Sequence, residues 1–198
     1  MIAKKMQQNQ SFSKSPANHC KDLLQYILTA RKKDVETEEK LLFSGAIGML
    51  SEDCQDTYAV IAEQIGLVTE TKSPNPLLHY VISVHSEENE KLDGEAARKI
   101  SESFMESLEM KGFSAVYAVH GNTNNRHLHL VINRVNPVTC KVKDVKFDIL
   151  QAHKAIAKIE VEQNFKSEEN ARYIYKVPRR LMWNCYGTNN SLIGAPIR

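Results

Sequence analysis

The sequence predicts an α+β domain in which a central antiparallel β-sheet of about five strands is flanked by helices. Residues 79–85, 114–120 and 127–135 alternate apolar and polar side chains, which is typical of half-buried strands. Segments with helical spacing of apolar residues lie between and around these strands. Short connections between alternating strands favour antiparallel pairing, with the helices packed on the sheet.

Residues 1–66 are predicted to hold two helices and one short strand. Residues 1–17 are polar and basic and are expected to be mobile or extended. From about Asn18, apolar residues recur at three- and four-residue steps, as they do in a helix. The same spacing returns at 51–66, where Gly66 ends the helix. Between these helices, the apolar stretch 41–50 predicts a short strand.

The second half of the chain adds two further helices. Asp93 is predicted to cap a helix that reaches about Met110. The basic stretch 140–147 is compatible with another hairpin, and helical spacing resumes over 147–165. After YIYKVPRR the chain ends in a glycine- and asparagine-rich tail without clear periodicity, and we expect residues 172–198 to be flexible.

Length and composition limit the class of protein. A chain of 198 residues is most simply a single domain (1–198), which we expect to be the N-terminal part of a longer protein. Its four cysteines have no C-x-x-C spacing and are typical of reduced thiols in a cytoplasmic protein. No apolar run reaches membrane-spanning length and no signal peptide is visible, so no membrane insertion is expected. A net charge of +2 is too small to prove a nucleic-acid partner.

Three histidines gather where two of the predicted strands meet. His120 ends the strand 114–120 and His127 begins the strand 127–135, so an antiparallel hairpin places them opposite each other, with His129 within reach. Three imidazoles on a rigid sheet can hold a divalent cation and leave positions open for water or substrate. Neutral ligands leave the charge of the metal uncancelled, which suits an anionic substrate such as a phosphodiester. The residues alone identify neither the metal nor the reaction.

Three stretches resemble the plasmid conjugation and mobilisation relaxases. Residues 119–137, VHGNTNNRHLHLVINRVNP, resemble the histidine motif of that family. Residues 15–28, SPANHCKDLLQYIL, resemble the segment with the nucleophilic tyrosine, which implies that role for Tyr26. HYVISVH resembles the strand whose serine lies near the DNA, which implies Ser83. The resemblance runs from about residue 11 to 165 and implies the fold of the relaxases and rolling-circle nucleases.

The activity implied by this resemblance is nicking and rejoining of one DNA strand at the origin of transfer (oriT), through a 5′-phosphotyrosine on Tyr26. His120, His127 and His129 would bind Mg²⁺ or Mn²⁺. The implied partners are single-stranded DNA at oriT, a relaxosome accessory DNA-binding protein and a type IV secretion coupling protein. The implied location is the bacterial cytoplasm, with transfer into the recipient cell. Two alternatives stay open: a metal-dependent phosphodiester hydrolase without a covalent intermediate, and a non-catalytic single-stranded DNA-binding module of the same fold.

One position departs from the family pattern. Asn122 stands where the family usually has an aspartate, and an amide accepts a hydrogen bond but takes up no proton at neutral pH. The proton acceptor could instead be a metal-bound hydroxide, a histidine or another carboxylate. Glu160 in the last helix is a candidate, although its simpler interpretation is a solvated helix residue.

Further residues are candidates for supporting the site or contacting DNA. Asn133 shares the face of the predicted ligands and could support a ligand or bind DNA. The basic residues after and between the histidines are candidate phosphate partners: Arg126, Arg134, Lys141, Lys143 and Lys146. Arg134 is the weakest of these because it is predicted to project to the opposite face.

Overall fold

The computed structural model describes residues 1–6, 16–28, 41–49, 76–121, 123–144 and 148–167. In chain order its elements are β1 (Ile2–Lys5), α1 (Pro16–Leu28), β2 (Leu41–Ile47), β3 (Leu77–Ser83), a short 3-10 helix (Ser86–Lys91), α2 (Gly94–Ser107), β4 (Ala115–His120), β5 (His127–Asn133) and α3 (Asp148–Glu162). The predicted helix at 51–66, Asn122, Lys146 and the tail 172–198 lie outside the described residues.

The described strands form one five-stranded sheet in the order β1-β3-β5-β4-β2. All four neighbouring pairs are antiparallel. Strand β5 is therefore the central strand, with its hairpin partner β4 on one side and β3 on the other. The predicted α+β class with a central antiparallel sheet is confirmed.

The two faces of the sheet are covered by different helices. Leu128, Leu130 and Ile132 of β5 belong to a large apolar core that includes side chains of α2 and α3. On the other face, Val131 packs in a smaller cluster with Leu24 and other residues of α1. Alternation along β5 predicts this division correctly, because successive side chains of a strand point to opposite faces. His129 therefore lies on the face covered by α1.

Helix α2 begins as predicted but ends earlier. The Asp93 side chain caps it, accepting a hydrogen bond of 2.8 Å from the Ala96 amide. The helix ends at Ser107, and Glu109 and Gly112 both have positive φ, at 56° and 83°. These left-handed residues turn the chain out of the helix before the predicted end near Met110.

Two further segments differ in detail from the prediction. Residues 1–17 were expected to be mobile or extended, and Ile2–Lys5 is indeed extended but also pairs with β3 as an edge strand. In the stretch 140–147, the described residues show an isolated bridge between Val135 and Val142 in place of a hairpin of two strands. The side chain of Asn136 accepts the amide hydrogens of residues 138 and 139, which favours a turn there over a longer ladder. No helix in the described part of the chain has the length and hydrophobicity of a membrane span.

Candidate metal centre

Three histidines come together where the central hairpin turns. His120 is the last residue of β4, His127 is the first of β5, and the two are paired directly across the hairpin. The ring centroid of His129 lies 4.5 Å from that of His120 and 5.0 Å from that of His127. One ligand nitrogen from each ring lies within 4.8 Å of the other two. The predicted convergence of the three imidazoles is confirmed, and this cluster could bind a metal ion.

The His120 ring has one buried nitrogen that fits a metal ligand. Its Nε2 atom lies 2.8 Å from the carbonyl oxygen of Ile27, and because a carbonyl only accepts, Nε2 carries the proton. In the neutral ring Nδ1 then has a lone pair, and Nδ1 is buried with no hydrogen-bond partner among the described residues. A buried polar atom without a partner is unfavourable in a folded protein. Coordination of a cation by Nδ1 would satisfy it.

The other two rings also leave a nitrogen compatible with coordination. Nδ1 of His129 lies 3.0 Å from Nε2 of His79, and Nδ1 of His127 lies 3.4 Å from the carbonyl oxygen of Asn125. Binding through Nε2 is compatible with both contacts. Two nitrogens that bind one ion at about 2.1 Å can be at most about 4.2 Å apart. Small side-chain rotations would therefore bring the three nitrogens into coordination distance, and the three residues fit a divalent cation.

Burial keeps the ring of His129 and that of its neighbour His79 neutral. It lowers the pKa of His79 to about 4. The pKa of His129 falls to about 2, chiefly through burial and further through the neighbouring rings of His120, His79 and His127. Both rings are therefore neutral at pH 7, which is the state in which an imidazole offers a lone pair to a metal.

These lowered pKa values predict a stability that falls as the pH is lowered. In the unfolded chain an imidazole has a pKa of about 6.5. The unfolded state therefore takes up protons below pH 6.5 that folded His79 and His129 do not, so their contribution is present above pH 6.5 and lost below it. As the pH is lowered below 6.5, the contribution of each ring to the unfolding free energy falls by up to about 1.4 kcal/mol per pH unit. For His79 this loss continues to about pH 4.

Urea denaturation of the metal-free protein between pH 7 and pH 5, with a chelator present, measures this loss. His79→Leu removes one of the two rings and is expected to make the dependence shallower. An unfolding free energy that stays constant over this range would contradict the assignment of two buried neutral rings.

The turn that carries the histidines is fixed by Asn89 of the 3-10 helix. Its side chain donates to the carbonyl oxygen of Asn124 at 2.8 Å and accepts from the amide of Arg126 at 2.7 Å. The Arg126 guanidinium donates in turn to the carbonyl oxygen of Asn89 at 2.9 Å and to the carboxylate of Glu90 at 2.8 Å. Arg126 thus stabilises the turn, and the phosphate contact predicted for it would have to replace these bonds.

Helix α1 places Tyr26 over the histidine face of the sheet. Cys20, Leu24 and Ile27 of this helix are fully buried against the sheet. The bond from His120 to the Ile27 carbonyl oxygen joins the helix directly to the cluster. Tyr26 is half-buried, and its ring centroid lies 6.2 Å from that of His129 in an edge-to-face arrangement. The residue predicted to be the nucleophile thus lies beside the predicted metal ligands.

Three more residues share this face of the sheet. Ser83 is paired with His127 and Ile2 is paired with Ser83, so the three lie in one row across the sheet. Lys4 is paired with Val81, which is itself the partner of His129. Paired residues point to the same face, and two strand spacings place Lys4 about 10 Å from His129. The structure thus brings Ser83 to the site, together with two exposed residues that the sequence analysis missed.

Four other candidates lie away from the histidines. Strand β5 runs away from the site, and Asn133, four residues beyond His129, is about 13 Å further along it. Its side chain is fully buried and accepts a hydrogen bond from the Val135 amide at 3.0 Å. The next candidates follow beyond this end of the strand: Arg134, Lys141 and Lys143.

Arg134 and Lys143 have partners at that far end. The Arg134 Nε–H donates to the carbonyl oxygen of Lys143 at 2.8 Å. The Lys143 ammonium lies 3.3 Å from the carboxylate of Glu109. Arg134, Lys141 and Lys143, which the sequence suggests as phosphate partners, therefore lie at the far end of β5, because the strand carries the chain away from the histidines.

The position of Glu160 fits neither interpretation of the sequence, which were a proton acceptor for Tyr26 and a solvated helix residue. It lies on α3, which packs on the face of the sheet opposite to the histidines. Its side chain is buried and accepts hydrogen bonds from the amino group of Met1 and from Ser167 Oγ. Glu160 is therefore not a solvated helix residue, and the sheet separates it from Tyr26.

Comparison with known proteins identifies a family and a similar fold. The family model described as "Relaxase: MobA/VirD2-like, nuclease domain" matches residues 26–165. Protein MobA of Acidithiobacillus ferrooxidans is 43% identical over 104 residues, which are 52% of this chain and 25% of MobA. The match thus spans about a quarter of that relative's length.

A solved structure described as the molecular basis of vancomycin resistance transfer in Staphylococcus aureus is also similar. It superposes with a TM-score of 0.52 at 16% identity, over 80% of this chain and 94% of the other. At this identity the likeness concerns the fold alone.

Proposed function

Because the chain belongs to the MobA/VirD2-like family of relaxase nuclease domains, we propose that it nicks and rejoins one strand of DNA at a specific site in an origin of transfer. The observation that carries this proposal is the position of Tyr26 beside a cluster of three histidines. A phenol next to a site for a divalent cation is the arrangement needed for covalent attack on a phosphodiester. The relaxase family is metal-dependent, and Mg²⁺ or Mn²⁺ is the cofactor we propose.

The reaction is a transesterification. The Tyr26 oxygen gives up its proton to solvent and attacks the scissile phosphorus, so that a bond from phosphorus to the tyrosine oxygen forms and the bond to the 3′ oxygen breaks. The 3′ oxygen takes up a proton and leaves as a free hydroxyl, and the 5′ end stays on the enzyme as a phosphotyrosine. His120, His127 and His129 would hold a divalent cation, which would supply Lewis-acid polarisation of the phosphate and a charge that favours the phenolate form of Tyr26. Because one phosphodiester bond is exchanged for another and none is hydrolysed, the released 3′ hydroxyl can attack the phosphotyrosine and rejoin the strand.

The chain's own residues divide the remaining tasks. Helix α1 holds the phenol, half-buried, against the ring of His129. Ser83 is paired with His127, which supports a role for its hydroxyl as a hydrogen-bond donor to a phosphate oxygen. Glu160 is separated from the phenol by the sheet, so we do not assign it as proton acceptor. Asn122 stands where the family usually has an aspartate, and its amide cannot accept the proton.

We propose that the single-stranded DNA crosses the sheet edge formed by β1 and β3 on its way to the histidines. Ile2 is 53% exposed on this face and offers an apolar surface to a base. Lys4 is exposed two residues along the same strand and offers a charge to a phosphate. The edge strand thus supplies the two contacts by which single strands are usually held, apolar packing and phosphate pairing.

This path predicts a specific effect of Lys4→Ala. Loss of one phosphate contact is expected to weaken binding of a single-stranded oligonucleotide about three- to tenfold, and to reduce the slope of log affinity against log salt by about 0.7. Fluorescence anisotropy at several salt concentrations measures both. Lys141→Ala is the matched control, since Lys141 is an exposed lysine at the far end of β5. If Lys141→Ala weakened binding more than Lys4→Ala did, the DNA would run over the far end and the proposed path would be wrong.

The biological setting follows from the family as a further part of the proposal. A relaxase acts in the bacterial cytoplasm on single-stranded DNA at oriT, with an accessory DNA-binding protein and a type IV secretion coupling protein, and travels with the DNA into the recipient.

The hydrolase alternative differs in its product. Incubating the protein with an oligonucleotide that carries the oriT of the encoding element, and with Mn²⁺ or Mg²⁺, should give an adduct that survives denaturation. Nicking without an adduct would favour the hydrolase, and binding that is indifferent to chelator with no nicking would favour a DNA-binding module.

A further inference from the structure

A fourth histidine, His79 of β3, contacts the cluster from the side. It is 4% exposed, and its Nε2 lies 3.0 Å from Nδ1 of His129. The two rings are stacked with centroids 5.2 Å apart and planes 28° apart. His79 is paired with Val131 in the sheet, so it reaches His129 diagonally from the neighbouring strand. His79 is not one of the three histidines whose nitrogens could together hold the ion.

We propose that His79 is a positioning residue that fixes the tautomer and orientation of the metal ligand His129. This inference rests on the proposed metal site. In it, His129 carries its ring proton on Nδ1 and donates it to Nε2 of His79, which leaves the lone pair of His129 on Nε2, toward His120 and His127.

The direction of this hydrogen bond decides whether His129 can be a ligand. Between two neutral rings only one nitrogen can supply the proton. If His79 donated, Nδ1 of His129 would be the acceptor and its Nε2 would carry the proton, so Nε2 could bind no cation. If His129 donates, Nε2 is the free base that coordination requires. A hydrogen bond on the far nitrogen is the usual way in which proteins orient a metal-binding imidazole, although a carboxylate or a carbonyl is the commoner acceptor.

A simple packing role for His79 makes a different prediction. If His79 only fills space under helix α1, an apolar side chain of similar size would replace it without effect on His129. If it acts as an acceptor, only a residue with an acceptor near the position of Nε2 can replace it. Glutamine has such an acceptor in its side-chain amide oxygen, whereas leucine has none. The pair His79→Gln and His79→Leu therefore separates the two roles.

The first measurement is the affinity for Mn²⁺ alone, without DNA, by titration calorimetry or by electron paramagnetic resonance of the free ion. His79→Leu is expected to weaken binding about 10- to 100-fold, as loss of such a partner does elsewhere. His79→Gln is expected to stay close to the unsubstituted protein. His153→Leu on α3, on the other side of the sheet, is the matched control and should leave the affinity unchanged. Equal affinities for the protein and a folded His79→Leu variant would overturn the proposal, as would equal losses in the Leu and Gln variants.

The second measurement needs no metal and reads the tautomer directly. In ¹⁵N NMR of the metal-free protein with labelled histidine, His129 should appear as the tautomer protonated on Nδ1. In His79→Leu the Nε2-protonated form should become prominent. A His129 protonated on Nε2 in the unsubstituted protein would overturn the proposal even if the protein nicks DNA. If Tyr26 formed no adduct, the proposed reaction would be contradicted, but the conclusion about the His129 tautomer would remain valid.

Discussion

Tyr26→Phe is expected to abolish the covalent protein–DNA adduct and to leave binding of single-stranded DNA nearly unchanged. The substitution removes one oxygen atom, which is the proposed nucleophile, and keeps the ring that packs against His129. The buried residues that hold α1 on the sheet are not touched. The measurement is denaturing electrophoresis of the reaction with a labelled oligonucleotide, where the expected signal for Tyr26→Phe is below detection.

Tyr80→Phe is the matched control for this experiment. Tyr80 lies fully buried on the opposite face of the sheet against Phe104, with ring centroids 4.9 Å apart. Loss of its hydroxyl should leave adduct formation intact. An adduct formed at full rate by Tyr26→Phe would show that another group attacks the phosphate, and the assignment of the nucleophile would be wrong.

The second large effect is expected from the double substitution His127→Ala and His129→Ala. Two of the three rings in the cluster are lost, so the affinity for Mn²⁺ should fall by more than the roughly 10- to 100-fold typical of losing a residue that only orients a ligand. Nicking should be lost with it. His120 is kept because its bond to the Ile27 carbonyl oxygen also holds helix α1 in place. Calorimetric titration with Mn²⁺ and a nicking assay measure the two losses.

Two controls make this result interpretable. His153→Ala removes a histidine from α3 and should change neither quantity. A thermal melt of the metal-free double variant shows whether the sheet still folds. Nicking that persists in the folded double variant would mean that the three-histidine cluster is not the catalytic metal site.

The central hairpin and its histidines could be predicted from the sequence because the signals that define them lie within about twenty consecutive residues. Alternation over 127–135 assigns Leu128 and His129 to opposite faces, and a polar turn of a few residues fixes which strands pair. His120 and His127 are therefore opposite each other in any antiparallel hairpin at this position. The Asp93 cap is likewise a local signal that the structure confirms.

The missed residues depend on strand pairings that are distant in sequence. His79 reaches His129 only because β3 pairs with β5 in a register that places it opposite Val131. Lys4 reaches the same face only because β1 adds to the edge of β3. Lys143 shows the converse case: it follows the histidines closely in the sequence, but the length of β5 separates it from them in the structure. Alternation along β3 indicates that His79 and Ser83 share a face, and with the register known it would have added His79 to the site.

The most direct test of the proposed metal site is a crystal structure of the protein with Mn²⁺, in which anomalous scattering locates the ion. We predict one strong peak within coordination distance of Nδ1 of His120 and of the Nε2 atoms of His127 and His129. The Tyr26 hydroxyl should lie across a gap that admits a single phosphate group. A peak outside the three rings, or an empty cluster at saturating Mn²⁺, would contradict the proposed metal site.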